Sequence, residues 1–534
     1  MKKYKIKKSI FLLVSVLLLT AFYLPGAALA NTEKNDIKYI TLGDSIFYGD
    51  LNGDGKIDTR DYVLLQRYAL GVIEEFPIGN TQAADLNGDE KINSLDATLM
   101  GRYILGIIDQ FPVSTNAIYA SIDTSIKHQT MEGFGASIAY YQNWLIDHPN
   151  KAEIYDAIFN ELGLSILRLN NWYITYENES SFDDHAKEIV AEAKKSVGED
   201  LKIMMSSWTP PAYLKSNNSS GGGTLKKENG EFVYDKFADY WYDSLKEYEK
   251  IGVVPDYISI QNEPDMETEY ESCVFDKNEN GNNAVYAKAL EAVYNKLNSS
   301  MDNPPKILGP EVLGIGYNNF DGYMSLINTD YLDGLAFHLY HGGDENQPDS
   351  FNNELLKIKN KYPNIPKYQT EFYRGDAFNT AWIIHNCLVN GDVSMYLYWD
   401  LIWGESGGLV TIEFPWDSNQ WTTPNGYILD DKYYVLKQYA KFIKPGYTRV
   451  DASVNSDDIK ISAYISPDNQ SISVVLLNTS SSSETVALDF NGFTASNSEI
   501  YRTSEDEKAE FIGSLSGGNT VLLPAKSITT VILK

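Results

Sequence analysis

The chain has 534 residues, with 73 Asp and Glu against 44 Lys and Arg, for a formal charge of −29. That length exceeds what one hydrophobic core usually fills, and a composition of 43% hydrophobic and 22% charged residues is globular rather than disordered, so at least two folded domains are expected. The acid excess argues against DNA, RNA or an anionic membrane as partner, and only two cysteines exclude a disulfide scaffold or a Cys-rich zinc protein. Aromatic residues reach 13%, led by 38 Tyr, which favours a surface where rings stack on sugars.

In chain order, residues 1–30 read as a secretory signal. Lys2, Lys3, Lys5, Lys7 and Lys8 form the basic head, Ile10 to Ala21 the apolar run, and Ala28-Leu29-Ala30 a small-x-small cleavage site before Asn31. A retained anchor is the rival reading, but the run is short for spanning. A secreted, extracellular protein with no membrane contact after signal cleavage is expected.

Next come two copies of one segment, DLNGDGKIDTRDYVLLQRYALG from Asp50 and DLNGDEKINSLDATLMGRYILG from Asp85. Each places oxygen ligands at positions 1, 3, 5, 7, 9 and 12 of a calcium loop. These are Asp50, Asn52, Asp54, the Lys56 carbonyl, Asp58 and Asp61, then Asp85, Asn87, Asp89, the Lys91 carbonyl, Asn93 and Asp96. Gly55 meets the need for glycine at position 6 and Glu90 does not, which points to a weaker second site. Helices are expected over Tyr62 to Leu70 and Ala97 to Leu105, each stopped by a glycine, Gly71 or Gly106. With Asp at position 12 and one helix per loop, residues 36–112 resemble a type I dockerin. The resemblance implies two structural calcium ions and docking onto the cohesin domain of a scaffoldin in a cellulosome. It places the cohesin-reading positions at Thr59, Arg60, Arg67, Tyr68, Ser94, Leu95, Arg102 and Tyr103. Leu64, Leu65, Leu99 and Met100 read as core.

From Ala117 the pattern changes to strands alternating with helices. Eight strand-like segments begin near Met131, Leu164, Leu201, Tyr257, Pro305, Leu332, Lys367 and Val393, with helices such as Tyr234 to Lys250 and Ala284 to Leu297 between them. Eight such units predict an α/β fold, a (β/α)8 TIM barrel over residues 131–444. Functional groups of that fold gather where the strands end. Glu263 ends the fourth segment in Gln261-Asn262-Glu263-Pro264, and Glu371 ends the seventh in Gln369-Thr370-Glu371-Phe372. Two carboxyls on strands that face one barrel mouth are what a retaining glycosidase needs, one as acid/base and one as nucleophile.

The segments GFGAS, LGLSILRL, SSWTPPAYLK, SIQNEP, LGPE, FHLYHG and TEFY resemble glycoside hydrolase family 30, on its xylanase side, within the clan that carries catalytic Glu on strands four and seven. The resemblance implies Glu263 as acid/base and Glu371 as nucleophile, with no cofactor for catalysis. It implies Asn262 on the sugar 2-hydroxyl, Arg168 beside the nucleophile, and Trp208, His338, Tyr340 and Trp399 around the reacting sugar; Trp144, Trp172 and Tyr373 are rim positions. For His338 and Trp399, plain core packing is the other reading. Glu311 and Asp400 read as supporting hydrogen-bond groups. Members that require a glucuronic acid branch carry an arginine in the loop after strand eight; here that loop reads Asp400-Leu401-Ile402-Trp403-Gly404-Glu405, with no base. The expectation is a xylanase acting on xylan or xylooligosaccharides without dependence on glucuronate. It would be endo-acting, or would release xylobiose from the non-reducing end if the loop Tyr173 to Asp184 walls off the far subsites. β-Xylosidase or β-1,6-glucanase activity and a non-catalytic glycan-binding protein are the alternatives.

The tail is strand-like, with KISAYIS and SISVVLLN around a Pro467-Asp468-Asn469 turn and SITTVILK at the end. Residues 117–130 and 445–534 resemble the family's side β-sandwich. Ser480 to Ser483 is expected to close a polar hairpin. Cys273 and Cys387 either pair or remain free thiols.

Overall fold

The computed structural model describes residues 47–79, 81–86, 91–108, 111, 118–173, 184–405, 407–515 and 519–534. The signal segment 1–30, positions Asn87, Asp89 and Glu90 of the second loop, and nearly all of the loop Tyr173 to Asp184 lie outside the described residues. Among the described residues no helix is long and apolar enough to cross a membrane.

Eight strands close a parallel barrel in sequence order. They are Gly133–Ser137 (β1), Ile166–Asn170 (β2), Lys202–Ser206 (β3), Tyr257–Ser259 (β4), Lys306–Val312 (β5), Gly334–His338 (β6), Lys367–Glu371 (β7) and Val393–Tyr398 (β8). β8 returns to β1 through Met395–Gly133 and Tyr398–Ala136. Most of these strands are buried along their whole length, as expected of parallel strands covered on both faces. Ile166, Met204, Tyr257, Leu308, Ala336, Tyr368, Met395 and Leu397 fill the interior. Outside, helix Tyr234–Lys250 turns Phe237, Trp241, Leu245 and Tyr248 inward at helical spacing. The helix expected from Ala284 begins at Tyr286, because Val285 is still extended, and runs on to Ser300.

A nine-stranded sheet with its own hydrophobic core stands beside the barrel. Its strand Ile118–Thr130 lies between Thr448–Val454, antiparallel, and Glu484–Asn491, parallel. Strand Ile472–Asn478 is buried on both faces. Ile472, Val474 and Leu476 enter the sheet's core, while Val475 and Leu477 join the barrel's core, which explains the unbroken apolar run Val474 to Leu477. Ser480 to Ser483 does not close a hairpin. Ile472–Asn478 pairs with Ile459–Ile465 and Ser527–Leu533, whereas Glu484–Asn491 pairs elsewhere. The serines cross between strands that are not neighbours, held where the Asn478 amide donates to Ser482 O at 2.7 Å. Cys273 and Cys387 are free and buried. Burial raises the Cys273 thiol to about 12 and Cys387 in the same direction.

In the N-terminal repeats, helices Thr59–Ala69 and Ser94–Ile104 start one turn earlier than the apolar pattern implies. The side chains of Asp58 and Asn93 cap them, accepting from Arg60 N and Leu95 N at 2.8 Å. Leu65 and Met100 are core; Leu64 and Leu99 pack against it.

Candidate active site

Both glutamates stand at strand ends on the same barrel mouth. Glu371 is the last residue of β7. Glu263 follows β4 after a sharp turn: its φ is 45°, in the left-handed region that glycine favours, and its N–H donates to Glu311 O at 3.0 Å. One carboxylate oxygen from each, with a His338 ring nitrogen, all lie within 4.8 Å of one another. That spacing suits carboxyls about 5–5.5 Å apart, not the roughly 6.5–9.5 Å that leaves room for a water between them.

Arg168, from β2, lies under the pair with 0% exposure. Its Nη1 donates to Glu371 Oε2 at 2.7 Å, and its Nη2 to Asn262 Oδ1 at 2.6 Å and Glu311 Oε1 at 3.1 Å. The bond from arginine fixes Oδ1 of Asn262 as the acceptor, so the amide nitrogen is left to donate. The guanidinium also sits 4.5 Å from the Trp208 ring centre. Tyr340 donates to Glu371 Oε1 at 3.0 Å. His338, at the end of β6, places Nδ1 2.8 Å from Glu263 Oε1 and Nε2 3.7 Å from Glu311 Oε1.

These contacts separate the carboxyls. Burial pushes Glu263 up, the nearby Glu371 charge adds to it, and the His338 bond offsets only part, leaving it at about 7. Burial alone would raise Glu311, but Arg168 and His338 outweigh it and hold Glu311 at about 2. Burial opposes a charge on His338, yet Glu371, Glu263 and Glu311 together raise it to about 9. Two buried cations, Arg168 and His338, thus face Glu311 and Glu371, while Glu263 keeps its proton more easily than an ordinary glutamate.

A cavity of about 930 Å³ opens over the glutamates. Asn262, Trp208, Tyr340, Trp399, Trp144 and Tyr373 of the expected residues line it. Arg168 and His338 do not: both are fully buried and touch the glutamates from below, so they position the carboxyls instead of bordering the sugar. Trp172 is also set back, its indole donating to Ala139 O at 3.0 Å. Asp400 lines the cavity and is buried, and its side chain accepts its neighbour Leu401's N–H at 2.9 Å. The wall also contains Tyr140, Tyr141, Trp403, Arg374 and Lys432, which sequence reasoning missed. Their signal was position, since each follows a strand end or precedes a helix at the same mouth.

In the first calcium loop the carboxylates bond the loop's own backbone N–H groups. Asp61 is fully buried: Oδ1 accepts Leu51 N and Asn52 N, and Oδ2 accepts Asp58 N. Asp50 accepts Gly53 N, Asp54 N and Gly55 N. Asp96 repeats the pattern with Leu86 N and Asn93 N at 2.8 Å. Hard oxygen donors around a buried carboxylate fit a calcium ion; Asp50, Asn52, Asp54, Lys56, Asp58 and Asp61 would hold the first, and of the second set Asp85, Lys91, Asn93 and Asp96 are among the described residues. Arg60, its side chain 61% exposed, pairs with Asp54 at 2.5 Å and Asp58 at 2.7 Å. Tyr68 and Tyr103 pack on Phe76 and Phe111, at 4.7 and 4.8 Å between ring centres.

A closed (β/α)8 barrel with two close carboxyls at the mouth ends of β4 and β7, Glu263 raised in pKa by burial, defines a glycoside-hydrolysing enzyme. Residues 171–280 match the glycosyl hydrolase family 30 TIM-barrel domain, 446–531 the family 30 beta sandwich domain and 48–105 the dockerin type I domain. The chain is a glycoside hydrolase whose barrel and sandwich segments match family 30 models and whose N-terminal repeats match a type I dockerin. It is 24% identical over 439 residues to the glucuronoxylanase XynC of Bacillus subtilis (strain 168), covering 77% of this chain and 91% of that one. It is 22% identical over 359 residues to an endo-1,6-beta-D-glucanase of Neurospora crassa, covering 62% and 67%. The crystal structure of a family 30 subfamily 8 xylanase, Xyn30A, from Clostridium acetobutylicum superposes with TM-score 0.60 at 25% identity, covering 78% of this chain and 99% of that one.

Proposed function

We propose that this chain is a secreted, retaining β-1,4-xylanase that cleaves the xylan main chain without needing glucuronic acid branches, and that its dockerin holds it on a cohesin-bearing scaffold. The observation that carries the reading is the close pair of carboxyls, one kept protonatable near neutral pH and the other bonded by Arg168 and Tyr340. In the first step Glu371 attacks the anomeric carbon while Glu263 gives its proton to the departing oxygen. Glu263 then takes a proton from the water that breaks the glycosyl–Glu371 ester. Asn262, its carbonyl oxygen held by Arg168, offers its N–H to the sugar 2-hydroxyl, a bond that tightens as charge develops on the ring.

Xylan is favoured by the xylan-acting relatives. Independence from glucuronate rests on the loop after β8, which presents Trp403 and no cation to the cavity. Arg374 and Lys432 also line the cavity, outside that loop: Arg374 lies 5.2 Å from the Tyr340 ring centre, and Lys432 donates to Tyr373 O at 3.0 Å. Time-resolved products from linear xylan and from glucuronoxylan test the reading. A ladder from both marks endo action and xylobiose alone marks release from the non-reducing end. Cleavage of glucuronoxylan with linear xylooligosaccharides left untouched refutes independence. The Neurospora relative favours β-1,6-glucan as the second substrate to assay. A chelator should leave xylan cleavage intact and abolish binding to an immobilised cohesin, with recovery on adding calcium.

The pH profile follows from Glu263. The acid must carry its proton to help the leaving group, so kcat/KM should fall as pH rises through about 7. A Glu263→Gln variant should lose that alkaline limb.

A further inference from the structure

The aromatic surface continues past the cavity. Between ring centres, Trp399 lies 6.4 Å from Trp403, Trp403 4.7 Å from Tyr141, Tyr141 5.3 Å from Trp144, and Trp144 5.7 Å from Trp416. Trp416 is 50% exposed. Its orientation is nevertheless fixed. The indole N–H donates to Asp147 Oδ2 at 3.1 Å, and Phe414 meets the ring edge-on at 5.0 Å. The excursion that carries it is braced. Ile402–Gly404, Val410–Ile412 and Tyr427–Leu429 form a small sheet. The buried Glu413 carboxylate accepts Thr422 N at 2.7 Å and Thr423 N at 3.1 Å. Trp421 donates to Phe414 O at 2.9 Å and stacks on His148 at 5.3 Å. An apolar ring held rigidly in water, at the end of a track from the reacting carboxyls, is a surface prepared for a ligand.

We propose that Trp416, with Trp144, is a distal sugar platform that takes the substrate chain where it leaves the cavity. The ligand class is an uncharged β-linked glycan, whose C–H face packs on the indole; Asp147 at the ring disfavours an anionic branch. The loops after β8 and β1 stand across the barrel from β4, whose Glu263 protonates the leaving group. The sugars on this side therefore belong to the glycone part. The inference rests on Glu263 and Glu371 acting as proposed above.

The test compares Trp416→Ala and Trp416→Phe with wild type on oligosaccharides of increasing length in two series, β-1,4-xylo and β-1,6-gluco, read in the series wild type cleaves. Trp416→Ala should lower kcat/KM on long chains about three- to tenfold, through KM with kcat unchanged, and leave the shortest cleaved oligosaccharide unaffected. Trp416→Phe, which keeps a ring face, should recover most of the loss. Equal losses on short and long chains mark a structural role and overturn the platform, as does no loss on long chains. Wild-type cleavage of the gluco series alone sinks the xylan reading and leaves the platform to be judged by the same length dependence.

Discussion

Glu371→Gln should lower turnover of xylan and of aryl xylosides alike, by about a thousandfold or more, because no covalent intermediate can form whatever the leaving group. Glu263→Gln should behave differently. Proton donation is worth about 10²–10⁴-fold on a natural glycosidic bond. An aryl glycoside with an acidic phenol leaves without that proton, so its glycosylation step is largely spared and breakdown of the glycosyl–enzyme becomes limiting. A burst of phenol followed by slow turnover is the expected trace for Glu263→Gln, and none is expected for Glu371→Gln. Bursts from neither variant, or unchanged product release in Glu371→Gln, would reverse or remove the assignment of roles.

Arg168→Met is expected to be the most damaging change that touches no sugar. The arginine is fully buried and bonds Glu371, Asn262 and Glu311 at once. Removing the cation strands carboxylates in a dry site, at a cost of about 3–5 kcal/mol. The pH dependence carries the sign. In wild type Glu311 is held at about 2, below the roughly 4.3 of an unfolded glutamate. Its contribution to stability is therefore present above that unfolded value and lost as pH falls through 2. Without Arg168 the largest influence that lowers Glu311 is gone, and its pKa should move up from about 2 against the remaining pull of His338. Its penalty should then grow as pH rises and shrink as acid neutralises it. Thermal melts of both proteins at pH 5 and pH 7 check this; a deficit below about 1 kcal/mol, or one equal at both pH values, counts against Arg168 as the countercharge.

What the sequence disclosed follows from how local each signal is. The barrel strands were legible as short apolar runs ending in polar residues, and Glu263 and Glu371 were visible because each ends such a run. The three-way bonding of Arg168 was not, because Glu311 and Glu371 lie 143 and 203 residues away along the chain. The same distance hid Tyr140, Tyr141 and Trp403, ordinary aromatics until the closed barrel sets β1 beside β8. Helix starts moved because capping by Asp58 and Asn93 depends on backbone geometry, which an apolar pattern does not encode. The path of Ser480 to Ser483 was misjudged for a related reason: a polar turn between two apolar runs implies a hairpin only when those runs pair with each other, and here each pairs with strands from elsewhere.

The strand Ile118–Thr130 has a consequence for synthesis. It precedes the barrel in the chain, yet its partners follow it; Tyr119 N–H bonds Asn455, 336 residues later. At about 5–20 residues per second, the ribosome needs roughly a quarter of a minute to a minute to deliver that partner. Throughout that interval the nascent chain carries an unpaired strand between the N-terminal repeats and the barrel segments, all of which emerge behind it. The finished sheet then ties the start of the catalytic body to its end, so trimming either side opens the same seam.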